Sequence, residues 1–283
     1  MTKAFFVSDL HGKKDRVEKL INKVREEKPE IVFIGGDILP HSFKNSMDNE
    51  DFIADFLIPE LLILKKELGG IYPVILIILG NDDPKTEEYY INCGEKFGVW
   101  HYIHNKHFTY KDYRIFGYNY VPPTPFRLKD WEKYDVSRYV DPGSIPPEEG
   151  KHSTPDAGRP HNGDTIAKDL EYLSAEYPMN KSVFLFHAPP YQTNLDRAAL
   201  DGKIIDHAPL DVHVGSIAIK KFIEKKKPAV TLHGHVHESA RITGEWMEKI
   251  GECFCFNASY DGSALSLIKF TLENPSEAER ELL

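Results

Sequence analysis

The sequence has little cysteine, no excess of basic charge and no long hydrophobic run. Its 283 residues include 3 cysteines, which do not make a disulfide framework and favour a reducing compartment. Lys and Arg number 35 against 44 Asp and Glu, and the net charge of −9 disfavours nucleic acid as a partner, because a nucleic-acid binder needs a basic stripe. The longest near-continuous apolar stretch, residues 71–79, is too short to span a bilayer, so no membrane partner is expected.

Signals for export and for the common nucleotide sites are also missing. The first apolar run begins at residue 4, which leaves no room for a signal peptide, and we therefore expect a cytoplasmic protein. The sequence contains no Gly-rich phosphate loop of the Walker type and no dinucleotide fingerprint, so neither of these nucleotide-binding folds is indicated. Cys253 and Cys255 alternate along a predicted strand and are expected to pack as small hydrophobes.

Apolar runs and helical periodicities alternate through the first hundred residues, which predicts parallel strands joined by crossover helices. Helices are predicted over residues 12–28, 48–68, 84–97, 163–177 and 216–226. A short hairpin is predicted over residues 107–118. Further strands are predicted over 240–242, 253–257 and 264–270, and the acidic tail after residue 272 is expected to be loosely held.

Residues 121–162 form a long stretch rich in Pro, Gly and charge. A loop of this length inside a compact domain is usually functional or disordered. Two interpretations stay open: a lid inserted between two halves of a single domain spanning residues 1–283, or a disordered excursion.

Residue types that bind metals follow five apolar runs. The runs cover residues 4–7, 31–34, 74–79, 183–186 and 229–232, and the polar residues that follow them are Asp9, His11, Asp37, Asn81, Asp82, His187, His235 and His237. In an α/β sheet, ligands bind at the carboxyl ends of the strands, so these side chains should converge. So many oxygen and imidazole donors exceed the needs of one metal and suit two ions.

Each fragment alone has an ordinary structural explanation. Asp37 after a strand resembles a helix N-cap, Asn81 resembles a cap in a turn, and a single His187 resembles a buried structural histidine. The pair His235 and His237, after Gly234, is the strongest signal. The shared position of all the fragments carries the argument.

In chain order, the motifs are Asp9-Leu10-His11, Gly36-Asp37, Gly80-Asn81-Asp82-Asp83, an isolated His187 and Gly234-His235-Val236-His237. This series resembles the calcineurin-like metallophosphoesterase superfamily, in which a histidine usually stands at the position of Asp82. The resemblance implies an α/β fold of two mixed β-sheets packed face to face with flanking helices. It also implies a dinuclear metal site. The first ion would be bound by Asp9, His11, Asp37 and His237, and the second by Asp37, Asn81, His187 and His235.

The resemblance further implies a phosphoesterase that attacks phosphorus in line with a metal-bound hydroxide. Imidazole, carboxylate and amide ligands suit Mn, Fe, Co, Ni or Zn better than Ca or Mg. Asp82 beside two cations should stay ionised, which makes it a poor acid and repels a phosphate dianion. A diester carries one negative charge, so a phosphodiesterase acting on a small or nucleotide-like substrate is favoured over a monoesterase.

Other residues are candidates for proton transfer or substrate contact. His41 and His213 could supply the proton that Asp82 does not. Ser216 and the backbone N–H groups of the helix that it begins could receive an anion, or Ser216 could be an ordinary N-cap. Tyr191 could stack on a base or aryl group, and Asn81 could also contact the phosphate.

Two alternative functions remain beside the phosphodiesterase. A nuclease is disfavoured by the acidic charge. A metal-stabilised scaffold that binds a partner protein without turnover is disfavoured because all seven direct ligands are present. No oligomeric state is predicted.

Overall fold

The computed structural model describes residues 1–40, 51–155, 164–175 and 177–283. The strands in these residues are β1 (Lys3–Val7), β2 (Ile31–Gly35), β3 (Val74–Ile78), β4 (His101–Tyr102), β5 (Lys106–Tyr110), β6 (Tyr113–Tyr118), β7 (Ser182–Phe186), β8 (Ile204–Ile205), β9 (Ala208–Pro209), β10 (Val230–His233), β11 (Met247–Ile250), β12 (Cys253–Asn257), β13 (Ser266–Thr271) and β14 (Glu279–Leu282). The helices are α1 (Lys14–Glu27), α2 (Ile58–Leu68), α3 (Glu88–Lys96), α4 (Ile166–Leu173), α5 (Ile217–Lys226) and α6 (Ser239–Thr243). A π-helical segment, Phe52–Leu57, leads into α2.

Within the described ranges, the larger strands form two six-stranded sheets. The first has the order β14-β13-β1-β2-β3-β4 and the second β11-β12-β10-β7-β6-β5. Strands β1 to β4 are parallel, whereas β13 runs antiparallel to β1. In the second sheet β6, β7, β10 and β12 are parallel and the outer strands antiparallel. Both sheets are therefore mixed, which confirms the predicted fold class.

The alternation of side chains along the strands produces the layers of the molecule. One face of the first sheet, with Phe6 and Phe33, packs against the second sheet through Leu185 and Leu232 in a buried core. The opposite face of the first sheet packs on helices α1 and α2. The outer face of the second sheet, with Phe184, packs on α4 and α5, and Cys253 and Cys255 are buried there as predicted. Helices thus flank the packed sheets, and the parallel strands of both sheets are held in a buried core.

Two predictions for the last part of the chain are wrong. The predicted strand at residues 240–242 is the helix α6, since the hydroxyls of Ser239 and Thr243 donate to the backbone carbonyls of Val236 and Ser239. The tail is not loosely held: β14 pairs antiparallel with β13, and Glu281 forms ion pairs with Lys23 and Lys269. Neither the helix α6 nor the pairing of β14 with β13 has a signal in the local sequence.

The described part of the Pro-rich segment, residues 121–155, folds back on itself with little regular structure. Trp131 is buried, and Lys129 forms a fully buried ion pair of 2.5 Å with Glu132, which also accepts from the backbone N–H of Thr124. This packing argues against a disordered excursion for residues 121–155, while a role as a lid stays a prediction. In the part of the chain that the structure describes, no helix is long and apolar enough to cross a membrane.

Candidate metal centre

The carboxyl ends of β1, β2, β3, β7 and β10 bring the predicted ligands to one place. Asp9, His11, Asp37 and His235 all have a left-handed backbone, with φ of 57°, 48°, 49° and 73°. Such a conformation is uncommon for residues other than glycine and persists where the surroundings impose it. Here the backbone N–H of Asp9 donates to the carbonyl of Gly36 at 3.0 Å, and that of His11 to the carbonyl of Asp37 at 2.9 Å. The loops after β1 and β2 therefore hold one another in place.

Glycine beside the ligands is required by close packing. A Cβ at Gly80 would lie 2.2 Å from Asp37 Oδ1 and 2.6 Å from His187 Cε1. A Cβ at Gly234 would lie 2.7 Å from Asp9 Oδ2. All three distances are shorter than nonbonded atoms tolerate, so these glycines set how closely the strand ends approach the carboxylates.

The first donor cluster consists of Asp9, His11, Asp37 and His237, whose ligand atoms all lie within 4.8 Å of one another. His237 Nε2 is 3.0 Å from Asp9 Oδ1 and 3.1 Å from His11 Nε2. The hydroxyl of Ser259 donates to Asp9 Oδ2 at 2.6 Å, which fixes the orientation of that carboxylate.

The second donor cluster consists of Asp37, His187 and His235. His187 Nε2 lies 3.2 Å from Asp37 Oδ2 and 3.1 Å from Asn81 Oδ1, so the amide oxygen of Asn81 faces the same point. The other ring nitrogen of His187 is 2.8 Å from the carbonyl of Gly35, which accepts its proton and leaves Nε2 for the cluster. Asp37 belongs to both clusters, as a bridging carboxylate should.

Protons balance the charge of the two clusters when no cation is bound. Burial lowers the pKa of His187, but the Asp37 carboxylate outweighs burial and raises this pKa to about 10. Burial also lowers the pKa of His237, and the Asp9 carboxylate outweighs it and raises that pKa to about 9. Burial raises the pKa of Asp37, but the charge of His187 outweighs it and lowers that pKa to about 2. Burial and the charge of His187 lower the pKa of His235 to about 3.

These donors fit a pair of divalent ions. Carboxylate, imidazole and amide atoms converge without a thiolate, which is the ligand set of Mn, Fe, Co, Ni or Zn. A cation could replace the protons of His187 and His237, because metal binding releases protons from its ligands. The structure thus brings together every residue predicted to bind metal, while the binding itself stays a prediction.

Asp82 and Asp83 follow Asn81 but differ in role. The backbone N–H of Asp82 donates to Asp37 Oδ1 at 2.9 Å, which places Asp82 at the metal centre. Burial, and then the charge of Asp37, raise the pKa of Asp82 to about 7, a value for the protein without cations. Asp83 is fully buried and accepts from the backbone N–H groups of Ile38, Leu39 and Gly80. It ties the loop after β3 to the loop after β2.

Sequence reasoning missed several residues that position the ligands. Asp83 is one, and Ser259, just after the end of β12, is another. Arg16 of α1 donates from Nη1 to the carbonyl of Asp9 at 2.7 Å and from Nη2 to that of Gly262 at 2.6 Å. Asp83 had a signal in the sequence, as the fourth residue of the third motif. Ser259 reaches Asp9 across 250 positions, and Arg16 lies only seven residues from Asp9 but has no pattern that indicates its role.

The structure overturns the anion-binding interpretation of Ser216. Ser216 is fully buried, its hydroxyl donates to Asp135 Oδ1 at 2.5 Å, and the same hydroxyl accepts from the backbone N–H of Ile219. The N–H groups of Ile217 and Ala218 also donate to the Asp135 carboxylate. Since Asp135 already occupies the start of α5, Ser216 is the ordinary N-cap, and a substrate phosphate has no access to it.

The other candidate residues lie in different surroundings. His213 Nδ1 is 2.7 Å from Asp196 Oδ1, and the His213 side chain is 27% exposed. The hydroxyl of Tyr191 donates to Asp211 Oδ2 at 2.5 Å, and this hydrogen bond, with burial, raises the pKa of Tyr191 to about 12. His41 lies outside the described residues.

A cavity of about 260 Å³ opens beside the metal centre. Its walls include His235 and Val236 of the ligand loop, and His213. The rest is formed by residues 122–126 and 141–144 of the Pro-rich segment and by residues between 198 and 215. Apolar side chains predominate, the carboxylates are Asp141, Asp211 and Glu238, and among the described residues of the lining none is Lys or Arg.

The chain matches the model of the family described as calcineurin-like phosphoesterase over residues 2–239. It belongs to this family. Membership implies a hydrolase of phosphoric esters, and the family fold agrees with the two packed sheets. A search of curated proteins finds no match.

Solved structures similar to the chain share its fold at low sequence identity. A crystal structure 16% identical superposes with a TM-score of 0.62, covering 99% of this chain and 98% of the other. The protein TT1561 of Thermus thermophilus is 14% identical, with a TM-score of 0.57 and coverage of 99% and 98%. A novel archaeal phosphodiesterase is 12% identical, with coverage of 99% of both chains and a low TM-score of 0.43.

Proposed function

We propose that this protein is a dinuclear metal-dependent phosphodiesterase that hydrolyses small phosphate diesters. The observation that carries the proposal is the position of Asp37, whose carboxylate belongs to both donor clusters. A carboxylate shared by two ions is the arrangement of two-metal hydrolases. Family membership supports phosphoric ester hydrolysis in general, and the diester preference rests on the chain's own residues.

The residues that would hold the ions follow from the two clusters. Asp9, His11, Asp37 and His237 would bind one ion, and Asp37, Asn81, His187 and His235 the other. When bound, two divalent ions activate a water molecule and neutralise the charge of the phosphate oxygens. Ser259 orients Asp9, and the carbonyl of Gly35 holds His187 with Nε2 towards the cluster.

Asp82 supports the preference for a diester. Asp82 occupies the position in the third motif at which the family usually has a histidine, and beside bound cations its carboxyl group would be ionised. A carboxylate repels the dianion of a monoester more strongly than the monoanion of a diester. The ester with two organic groups is therefore the better substrate for this site.

The cavity beside His235 supports the same conclusion. It offers apolar surface for a second organic group, which a monoester lacks. Asp141, Asp211 and Glu238 make it unfavourable for an additional phosphate or carboxylate, since no lysine or arginine of the described lining would neutralise one. The substrate that fits best is a single phosphate with an uncharged or cationic arm.

The test measures metal content and ester preference together. The protein is loaded with Mn²⁺ or Ni²⁺, its bound metal is determined by elemental analysis, and kcat/KM is compared for bis-aryl and mono-aryl phosphates. We expect two ions per chain and faster hydrolysis of the diester, and Asp82→His should shift the preference towards the monoester. Faster monoester hydrolysis by the natural protein would contradict the diester preference. Two bound ions with no turnover of any ester would instead favour a scaffold.

A further inference from the structure

His213 and Asp196 form a hydrogen-bonded pair outside the two donor clusters. Asp196 is fully buried, and its Oδ1 lies 2.7 Å from Nδ1 of His213. The same carboxylate accepts from the backbone N–H groups of Gln192, Thr193 and Gly215. His213 itself is 27% exposed. One member of the pair is therefore fixed in the interior, and the other reaches accessible space.

The contacts of Asp196 decide which nitrogen of His213 carries a proton. Both carboxylate oxygens accept from N–H donors, so Asp196 acts as an acceptor, and Nδ1 of His213 must be the donor. Nε2 is then the ring nitrogen that can exchange a proton with a ligand.

The segment that carries this pair is connected to the metal centre at three points. Asn257, at the end of β12, donates to the carbonyl of Leu195 at 2.8 Å and accepts from the N–H of Ser259, whose hydroxyl holds Asp9. The N–H of Ala199 donates to Glu238, the residue after His237. The N–H of Ser216 donates to the carbonyl of Pro189, two residues after His187. These connections fix the position of His213 relative to the ligands.

His213 and the metal-ligand candidate His235 line the same cavity, in which the organic part of the substrate would lie. Asp82, the residue at the usual position of the family histidine, offers a carboxylate. We propose that His213 is a catalytic residue that donates the proton of Nε2 to the leaving-group oxygen of the diester, with Asp196 as its positioning residue. This assignment rests on the proposed function.

A water oxygen forms a bond to phosphorus, the bond from phosphorus to the leaving oxygen breaks, and its electron pair stays on that oxygen. The proton of His213 Nε2 neutralises the leaving oxygen, which departs as an alcohol. The proton released by the attacking water passes to solvent, and solvent protonates His213 for the next turnover.

The test compares leaving groups in the metal-loaded protein. For His213→Ala, we expect kcat on a diester with an alkyl alcohol leaving group to fall by about 10²–10⁴-fold, the usual contribution of a general acid. Hydrolysis of a nitrophenyl diester should change little, because nitrophenolate leaves without a proton. His207→Asn is the matched control, since His207 lies in an exposed turn of the same segment with φ of 65°, which Asn tolerates. Added imidazole should restore alkyl-ester hydrolysis in His213→Ala but not change the control.

A second readout needs no turnover. In the protein without metal, the ¹⁵N NMR spectrum of His213 should show the Nδ1–H tautomer in the neutral form, and Asp196→Asn should remove this preference. Equal losses on alkyl and nitrophenyl esters in His213→Ala, or an Nε2–H tautomer in the natural protein, would overturn the assignment. If the natural protein hydrolyses no phosphodiester at all, the proposed function fails and the catalytic role fails with it. If the natural protein hydrolyses diesters and His213→Ala loses the same activity on alkyl and nitrophenyl esters, only the role of His213 is refuted.

Discussion

Two regions of the candidate site are built in opposite ways. The strand-end rim contains the predicted ligands Asp9, His11, Asp37, Asn81, His187, His235 and His237. The pocket wall contains residues 122–126 and 141–144 and those residues between 198 and 215 that line the cavity, which do not include Asp206 or His207. Asp9 and His187 are fully buried, whereas Phe126 and Ile205 of the wall are 55% and 38% exposed. Strands β1, β2, β3, β7 and β10 support the rim, but in the described wall only the two-residue strands β8 and β9 are regular.

This difference leads us to expect that the rim supplies the chemistry and that the wall determines which substrates are accepted. The rim is held by hydrogen bonds between loops that follow buried strands, and Gly80 and Gly234 leave no room for change. A substitution in the rim should therefore affect every substrate alike. The wall presents apolar and acidic side chains from irregular segments, where loops usually vary, so substitutions there should change the choice among substrates.

The largest effect should follow from removing the bridging charge of the rim. Asp37→Asn keeps the shape of the side chain and an oxygen for the N–H of Asp82. It removes the carboxylate charge that two ions would share, a contribution of several kcal/mol. We expect kcat/KM to fall by at least about 10³-fold on all diesters and the bound metal to fall below two ions per chain.

The matched control is Asp112→Asn, because Asp112 is 77% exposed and pairs with Lys181, which precedes the amino end of β7, whereas His187 of the rim follows the carboxyl end of the same strand. It should retain full activity and metal content. If Asp37→Asn kept both ions and altered some substrates much more than others, the division between rim and wall would be wrong.

The next effect concerns the stability of the protein without metal. His187 and His237 have folded-state pKa values of about 10 and about 9, above the ordinary value near 6.5 expected in the unfolded chain. The folded protein therefore binds more protons between these limits, and its free energy of unfolding should decrease as the pH rises. The stabilisation is complete below about pH 6.5 and is lost as the pH passes through about 9 to 10.

Urea unfolding at a series of pH values, with a chelator and with Mn²⁺, measures this dependence. With metal bound the ligands are already deprotonated, so the decrease over the same range should be much smaller. Equal pH dependence in both conditions would mean that the protons of His187 and His237 do not replace cations in the rim.

The rim could be predicted from the sequence, and the reason is local. Each ligand lies within five residues of the end of an apolar run, and parallel strands bring such ends together. Neighbouring residues alone did not assign Asp37, which also resembles a helix N-cap; the position that it shares with the other ligands predicted its role. The alternation of strands and helices predicted the parallel strands, and the resemblance of the motifs to the family implied the two packed sheets. The paired tail and α6 were not predicted, because the contacts that form them carry no periodic signal.

The surroundings of the wall could not be predicted, because the contacts that hold its segments join residues that are distant along the chain. Ser216 contacts Asp135 across 81 positions, and nothing near Ser216 indicates that a carboxylate already occupies the helix start. Asp196 is an ordinary acidic residue in the sequence and becomes the partner of His213 only in the fold. Which charged side chains meet in an irregular region, such as Asp196 and His213, depends on the path of the backbone between them.

The smallest effect should come from a carboxylate of the wall. Asp141 lines the cavity, and burial, together with the charge of Asp211, raises its pKa. Asp141→Asn should leave kcat/KM for a diester with an uncharged arm unchanged. For a diester with a carboxylate on its arm, kcat/KM should rise about three- to fivefold, since a charge pair near the surface is worth about 1 kcal/mol or less. Asp206→Asn, an exposed turn residue outside the cavity lining, is the control. An equal gain for both arms would indicate that Asp141 acts on the reacting phosphate, and the wall would then share in the chemistry that the comparison assigns to the rim.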